Sequence, residues 1–95
     1  MNNAVFKREL HFLINEKLST HIMTIGPIKK IGDKRFHCYW SIPPLTANDF
    51  RCSADDELDA FYRCLKSVGD FLRGSFDDGY EFWWQSKGDM GGFGA

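Results

Sequence analysis

The chain has 95 residues and a formal net charge of −1, and 43% of its residues are hydrophobic and 16% aromatic. A chain of this length forms one domain around a single core. The sequence lacks the dense basic face of a nucleic-acid binder, and charges interrupt its apolar stretches, which argues against a membrane span or a signal peptide. We therefore expect one cytoplasmic domain over 1–95, with an ordered core at about 4–87, a glycine-rich tail over 88–95, and no nucleic-acid or membrane partner.

The first predicted strand covers residues 5–14, where apolar and polar side chains alternate. One side of this strand carries Phe6, Arg8, Leu10, Phe12 and Ile14. Because four of these five side chains are apolar, we assign this side to the core, and Arg8 is included in it.

A second strand is predicted over residues 18–26, which are rich in β-branched side chains and follow a polar reversal. Two apolar pairs compete for its core side, so its phase stays open. These pairs are Leu18 with Ile22 and Met23 with Ile25. Pro27 removes a donor from the backbone ladder, which indicates a bulge, an edge position or the end of the strand.

The clearest strand pattern covers residues 35–42, and the prolines at 43–44 end it. Its core side carries Phe36, Cys38, Trp40 and Ile42. The alternate side chains, which include His37 and Tyr39, point to the opposite face. A short fourth strand is predicted at 49–52.

A helix is predicted over residues 53–74, where apolar residues recur at intervals of three and four. The apolar stripe consists of Ala54, Leu58, Phe61, Cys64, Leu65, Val68, Phe71 and Leu72. Ser53 is the predicted N-cap, and Gly74 is the predicted cap at the C-terminus. Gly69 lies beside the stripe, which indicates close contact between the helix and the sheet.

The final predicted strand covers residues 80–85. Adjacent residues of a strand point to opposite faces, so the side chains of Trp83 and Trp84 must lie on opposite faces of the sheet. Tyr80 and Phe82 share a side with Trp84, which assigns Trp84 to the core and Trp83 to the other face. The elements together predict an α+β fold, in which a mostly antiparallel sheet of about five strands carries one long helix on one face, in the order ββββαβ.

The sheet face without a helix is a candidate surface for a partner protein, because exposed Tyr, Trp and Arg are enriched at interfaces. Its candidate binding residues are His37, Tyr39, Glu81 and Trp83. A second group of candidates is an acidic set at the start of the helix: Asp55, Asp56, Glu57 and Asp59. The helix dipole is a sufficient cause for acids in a first turn, but the same carboxylates are suited to recognise a basic partner.

No motif of a known catalytic chemistry is present, and we expect no enzymatic activity, no cofactor and no metal. The three cysteines are predicted to be reduced and buried, because an odd number without a C-x-x-C pair fits neither a disulfide framework nor a common zinc motif. His11, His21 and His37 would hold zinc if they converged, but solvated histidines on a polar face are the preferred interpretation. Asp89 is assigned to the tail rather than to a phosphate-binding loop.

The segments "HCYWSI", "DDELDAFYRCLKSVGDFL" and "FWW" through "GDMGGF" together resemble a family of small bacterial domains of unknown function. In that family several strands precede one long helix, and a short strand with an acidic-glycine ending follows. The resemblance implies a bacterial cytoplasmic domain with no known activity, and it supplies no catalytic residues.

The first functional hypothesis is a non-enzymatic interaction protein of the kind that bacteria use as an immunity protein to neutralise a toxin domain. Its basis is the small size of the chain, the acidic start of the helix and the uncovered sheet face. Two alternatives stay open. One is a small ligand-binding or enzymatic domain that uses His11, His37 and Trp83, and the other is a homodimer formed through an edge strand or the uncovered face.

Overall fold

The computed structural model describes residues 5–89, 91 and 92, with the side chain of Phe76 excepted. Its elements in chain order are β1 (Phe6–Ile14), β2 (Lys17–Gly32), β3 (Arg35–Ser41), β4 (Phe50–Ala54), α1 (Glu57–Asp77) and β5 (Glu81–Trp83). The strands form one curled antiparallel sheet of five strands in the order β4-β3-β2-β1-β5. The predicted α+β fold is confirmed.

A two-residue turn joins β1 to β2 and fixes their register. Asn15 and Glu16 adopt φ values of 51° and 65°, as the tight hairpin turn requires, and Ile14 pairs with Lys17. The phase of β2 follows from this register. Its buried residues include Met23 and Ile25, whereas Leu18 is 67% exposed and Ile22 is 50% exposed.

A bulge carries β2 past Pro27, so the strand is longer than the predicted 18–26. The pairing with β3 shifts between Ile25 and Ile28, and Ile28 then pairs with Cys38. The bulge absorbs the missing backbone donor, and the strand continues to Gly32.

The helix begins later than predicted, at Glu57. The predicted N-cap Ser53 is wrong, because β4 extends to Ala54 and includes it. The cap is Asp56, whose Oδ1 accepts a hydrogen bond from the backbone N–H of Asp59 at 2.7 Å.

The helix also ends later than predicted, because it passes through Gly74 and continues to Asp77. Gly79 then takes a φ of 83°, and the backbone N–H of Tyr80 donates to the Ser75 carbonyl oxygen at 2.9 Å. Gly79 therefore supplies the left-handed conformation that we expected of Gly74.

The core lies between the sheet and α1. Its buried apolar residues are Leu10, Phe12, Met23, Ile25, Ile28, Cys38, Trp40, Ile42, Ala54, Ala60, Cys64, Val68, Leu72 and Phe82. The predicted burial of Leu58 is wrong, because this side chain is 79% exposed. Leu58 lies two residues before the buried Ala60. Two residues correspond to a rotation of about 200° around the helix, so Leu58 lies on the side opposite the buried stripe.

The helix packs mainly over β3 and β4, and it contacts β2 and β5 less. It covers one face of the sheet, as predicted, and we call the opposite face the outer face. Because α1 leans toward the β4 edge, part of the inner face of β1 and β2 stays open beside it.

Candidate functional site

Four of the predicted partner-binding residues belong to the outer face. Cys38 and Phe82 are buried on the helix side, so their neighbours along β3 and β5 point to the outer face. These neighbours are His37, Tyr39, Glu81 and Trp83. Trp83 is half-buried on this face and is not sealed in the core.

The four residues lie toward opposite ends of the outer face. His11 pairs with Thr20 of β2, whereas His37 pairs with Lys29 of the same strand. Thr20 and Lys29 are nine positions apart, which is roughly 30 Å along an extended strand, less what the bulge removes. Because Trp83 pairs with His11, it belongs to the first end. His11, His37 and Trp83 therefore do not form one site.

An apolar outer patch covers the end of the face formed by β1, β2 and β5. It consists of Leu13, Leu18, Ile22 and Trp83. Leu13 and Leu18 pair directly across the hairpin. The exposed fractions of Leu18 and Ile22 are 67% and 50%, which is high for apolar side chains on the central strand of the sheet. Leu13, Leu18 and Ile22 are functional candidates that the sequence analysis did not name.

Polar groups lie within and beside the apolar outer patch, because His11 and Thr20 pair between its members. The ring of His11 lies 6.1 Å from the ring of Trp83, and its Nδ1 is 3.0 Å from Thr20 Oγ1. Glu81 pairs with Leu13 in the sheet and is exposed, and its carboxylate lies 3.7 Å from Lys87 Nζ. The patch thus combines exposed apolar side chains with a hydrogen-bonded polar pair, a mixture that protein interfaces commonly contain.

A basic aromatic patch occupies the other end of the outer face. It consists of Lys29, Arg35, His37, Tyr39 and Arg51. Lys29 Nζ lies 5.5 Å from the centre of the Tyr39 ring, and Arg51 pairs with Tyr39 across β3 and β4. The pKa of His37 is lowered by partial desolvation and by the positive charges of Arg51 and Arg35. A neutral His37 at pH 7 is therefore favoured.

The acidic set lies at the end of the sheet where β4 passes into α1. Asp56 caps the helix, and Asp59 forms an ion pair with Arg63, with Oδ2 and Nε 3.2 Å apart. Asp55 and Asp56 are exposed, and Glu57 is partly buried. The eight predicted residues thus fall in three places, because the acidic set belongs to neither outer patch.

A cleft of about 720 Å³ lies on the helix side, between α1 and the β1–β2 hairpin. Its apolar residues include Phe6, Met23, Ile25, Phe61 and Leu65. Its cationic residues are Lys7, Arg8, Lys66 and Arg73, and the described residues that line it include no Asp or Glu. An apolar floor with a cationic rim is suited to a small amphipathic anion. The sequence analysis did not anticipate this cleft, because it depends on where the helix lies.

Gly69 lines this cleft, and its role differs from the prediction. A Cβ at Gly69 would lie 2.9 Å from Arg73 Nη1, so the glycine makes room for the guanidinium of its own helix. Arg73 also pairs with Asp70, with Nη2 and Oδ1 2.5 Å apart. Gly69 therefore accommodates Arg73 and not the sheet.

The C-terminal segment folds back onto β1 and closes one side of the cleft. Arg8 Nη1 donates to the carbonyl oxygen of Gly91 at 2.7 Å, and its guanidinium lies 4.0 Å above the Trp84 ring. Asp89 accepts hydrogen bonds from the backbone N–H groups of Trp84 and Gly91 at 2.7 and 3.0 Å. The expected tail over 88–95 thus contains residues with defined contacts, while Met90 and 93–95 lie outside the described residues.

The histidines do not converge on a common ligand. His21 lies on the helix side, with its ring 5.4 Å from the Phe12 ring, whereas His11 and His37 belong to the outer face. Within the described part of the chain, no three His, Cys, Asp or Glu side chains are grouped so that they could hold a metal ion. The helix that the structure describes is not long and apolar enough to cross a membrane.

Comparison of the chain with models of protein families, with curated proteins and with solved structures found no match. The resemblance to small bacterial domains therefore stays an expectation from the sequence.

Proposed function

We propose that the chain is a non-enzymatic interaction protein that binds a protein partner on the apolar outer patch. Within that class, we propose an immunity-type protein that neutralises a bacterial toxin domain. One observation carries the proposal: Leu18 and Ile22 are exposed on the face that α1 leaves uncovered, and Trp83 lies on the same face across β1.

The apolar outer patch has side chains whose burial would stabilise a complex. Full burial of a Leu or Ile side chain contributes about 1.5–3 kcal/mol, and Leu18 and Ile22 keep half or more of this surface exposed. Tryptophan is the residue type most enriched among the few residues that dominate binding energy. Several exposed apolar side chains on one uncovered sheet face typically mark an interaction site.

The charged groups at the other end of the sheet are suited to orienting the partner. The acidic set and the basic aromatic patch have opposite sign and belong to the same end, so they would select a partner with a complementary pattern. Exposed charges of this kind affect mainly the association rate, which we expect to fall as salt increases.

The structure gives less support to the enzymatic alternative than the sequence did. It required His11 and His37 to act together, and their pairing partners in β2 are roughly 30 Å apart along the strand. The homodimer alternative uses an edge strand or the uncovered face, and the oligomeric state of the protein alone tests it.

The test compares two exposed leucines on different surfaces. Leu18→Thr alters the apolar outer patch, and Leu58→Gln alters an exposed leucine of α1 as the matched control. Candidate partners are toxin-like proteins encoded beside this gene, and affinity is measured by calorimetry. We expect Leu18→Thr to weaken binding about tenfold or more, which corresponds to 1.4 kcal/mol or more, and Leu58→Gln to leave it unchanged.

The opposite ranking of the two variants would refute the docking surface. Light scattering of the protein alone separates the homodimer alternative. A concentration-dependent dimer that Leu18→Thr dissociates would assign the patch to self-association instead.

A further inference from the structure

All three cysteines of the chain meet at one place between β3, β4 and α1. Cys38 and Cys52 pair directly across the two strands. The Cys64 thiol, from α1, lies close enough to both of them that they raise its pKa. The Cys52 thiol also donates to the carbonyl oxygen of Arg63 at 3.7 Å, next to Cys64 in the helix. The three thiols are free in this structure.

The register gives Cys38 and Cys52 the separation that a disulfide needs. Residues directly opposed in an antiparallel pair have Cα atoms about 4.5–5.5 Å apart. Disulfides span Cα separations of about 4.4–6.8 Å, so this pair can be bridged without a shift of the strands. Cys64 belongs to the helical layer, and no sheet register brings its Cα to a comparable position.

Access to solvent distinguishes the three thiols. Cys38 and Cys64 have no exposed surface, whereas Cys52 is half-buried. Cys52 belongs to β4, an edge strand of the sheet. A small oxidant therefore reaches Cys52 first.

We propose that Cys52 and Cys38 form a site of reversible oxidation by small hydroperoxides. With hydrogen peroxide, the Cys52 thiolate attacks one peroxide oxygen and the O–O bond breaks, which gives a Cys52 sulfenic acid and hydroxide. The Cys38 thiolate then attacks the Cys52 sulfur, forms the S–S bond and displaces a second hydroxide. The two hydroxides take up the protons that the two thiols released and become two waters. With hydrogen peroxide, the two thiols lose two hydrogens and the peroxide is reduced to two waters.

Cys64 favours the second step through its contact with Cys38. Its hydrogen bond lowers the pKa of the Cys38 thiol, and this effect outweighs the burial of Cys38, which acts in the opposite direction. The pKa of Cys64 itself is raised by the same hydrogen bond and by burial. Loss of the Cys38 proton, which the attack on Cys52 requires, is therefore favoured over loss of the Cys64 proton.

The test uses tryptic cleavage sites that place each cysteine in a separate peptide. Cleavage after Arg35, Arg51, Arg63 and Lys66 gives peptides 36–51, 52–63 and 64–66. The folded protein is treated with hydrogen peroxide, the remaining thiols are alkylated, and the digest is analysed by mass spectrometry without reduction. We expect peptides 36–51 and 52–63 to be joined, with the loss of two hydrogens, and dithiothreitol to separate them.

Three variants give the controls. Cys64→Ala removes the thiol outside the proposed pair, so the same link between 36–51 and 52–63 is expected to form. Cys38→Ser and Cys52→Ser are expected to abolish it, and circular dichroism shows whether each variant is folded.

Several outcomes would overturn the proposal, and the wild-type protein is sufficient for them, through its digest and through non-reducing electrophoresis before digestion, which separates linked dimers from monomers. One is a folded protein that keeps three free thiols after peroxide treatment. Others are a link that involves peptide 64–66, a link between two molecules, or sulfinic and sulfonic products at Cys52 without any S–S bond.

Discussion

Replacement of Arg8 by Met is expected to release the C-terminal segment from the sheet and to destabilise the fold. The guanidinium of Arg8 donates to the Gly91 carbonyl oxygen at 2.7 Å and lies 4.0 Å above the Trp84 ring. A hydrogen bond from a charged donor contributes about 1.5–3 kcal/mol, and a cation–π contact at a partly exposed site contributes about 0.5–1 kcal/mol. Methionine keeps much of the apolar stem, so we expect the free energy of unfolding to fall by about 2 kcal/mol.

Urea unfolding followed by tryptophan fluorescence measures this loss. Lys7→Met is the matched control, because Lys7 is the preceding residue of β1 and is exposed. Its effect is expected within about 0.5 kcal/mol. A double-mutant cycle of Arg8→Met with Trp84→Leu isolates the stacking contact, with an expected coupling of about 0.5–1 kcal/mol. A loss below about 0.5 kcal/mol for Arg8→Met, or no coupling in the cycle, would refute this account of the segment.

Two further predictions concern the helix cap and the basic aromatic patch. Asp56→Ala removes the acceptor for the Asp59 N–H and is expected to lower the free energy of unfolding by about 1 kcal/mol in the same urea assay, whereas Asp55→Ala is expected to change it less. The pKa of His37 lies below its ordinary value, partly because of Arg51, so proton NMR titration should show a higher pKa in Arg51→Gln. Because the unfolded chain binds this proton more readily, stability is expected to fall as the pH decreases from about 6.5 to the lower pKa of the folded state. An unchanged His37 pKa in Arg51→Gln would contradict the electrostatic cause.

The sequence predicted the fold class because its strongest patterns are local. The alternation in β1 and β3 and the apolar stripe of α1 each arise from one continuous segment. The phase of β2 could also have been predicted from the sequence. A two-residue turn at 15–16 makes Phe12 oppose Ser19, which turns the odd-numbered residues of β2 inward and exposes Leu18.

The ends of the helix were not predictable from local signals. Ser53 and Asp56 are both good N-cap residues, and the choice between them depends on how far β4 pairs with β3. Pairing reaches Ala54, which takes Ser53 into the strand and leaves Asp56 as the cap. Pairing between strands is a non-local event, so it overrides the preference of one residue.

The arrangement of the candidate sites depends on strand order, which no single segment encodes. The alternation placed His37 and Trp83 correctly on the outer face but did not show that they lie at different ends of it. β5 pairs with β1 at one edge of the sheet, whereas β3 and β4 form the other edge. The cleft and the thiol cluster have the same origin, since both depend on where α1 crosses the sheet.

Leu18 separates a binding role from a folding role more cleanly than Ile22 does. β-branched residues are favoured in strands, so the exposed Ile22 has a sufficient cause in the stability of β2. Leu18 is not β-branched and is 67% exposed, so its presence gains little for the strand. Leu18→Thr is therefore expected to keep or raise the midpoint of urea unfolding while it weakens partner binding. A clear loss of stability in Leu18→Thr would show that the apolar outer patch serves the hairpin, and the case for a docking surface would then rest on Trp83 alone.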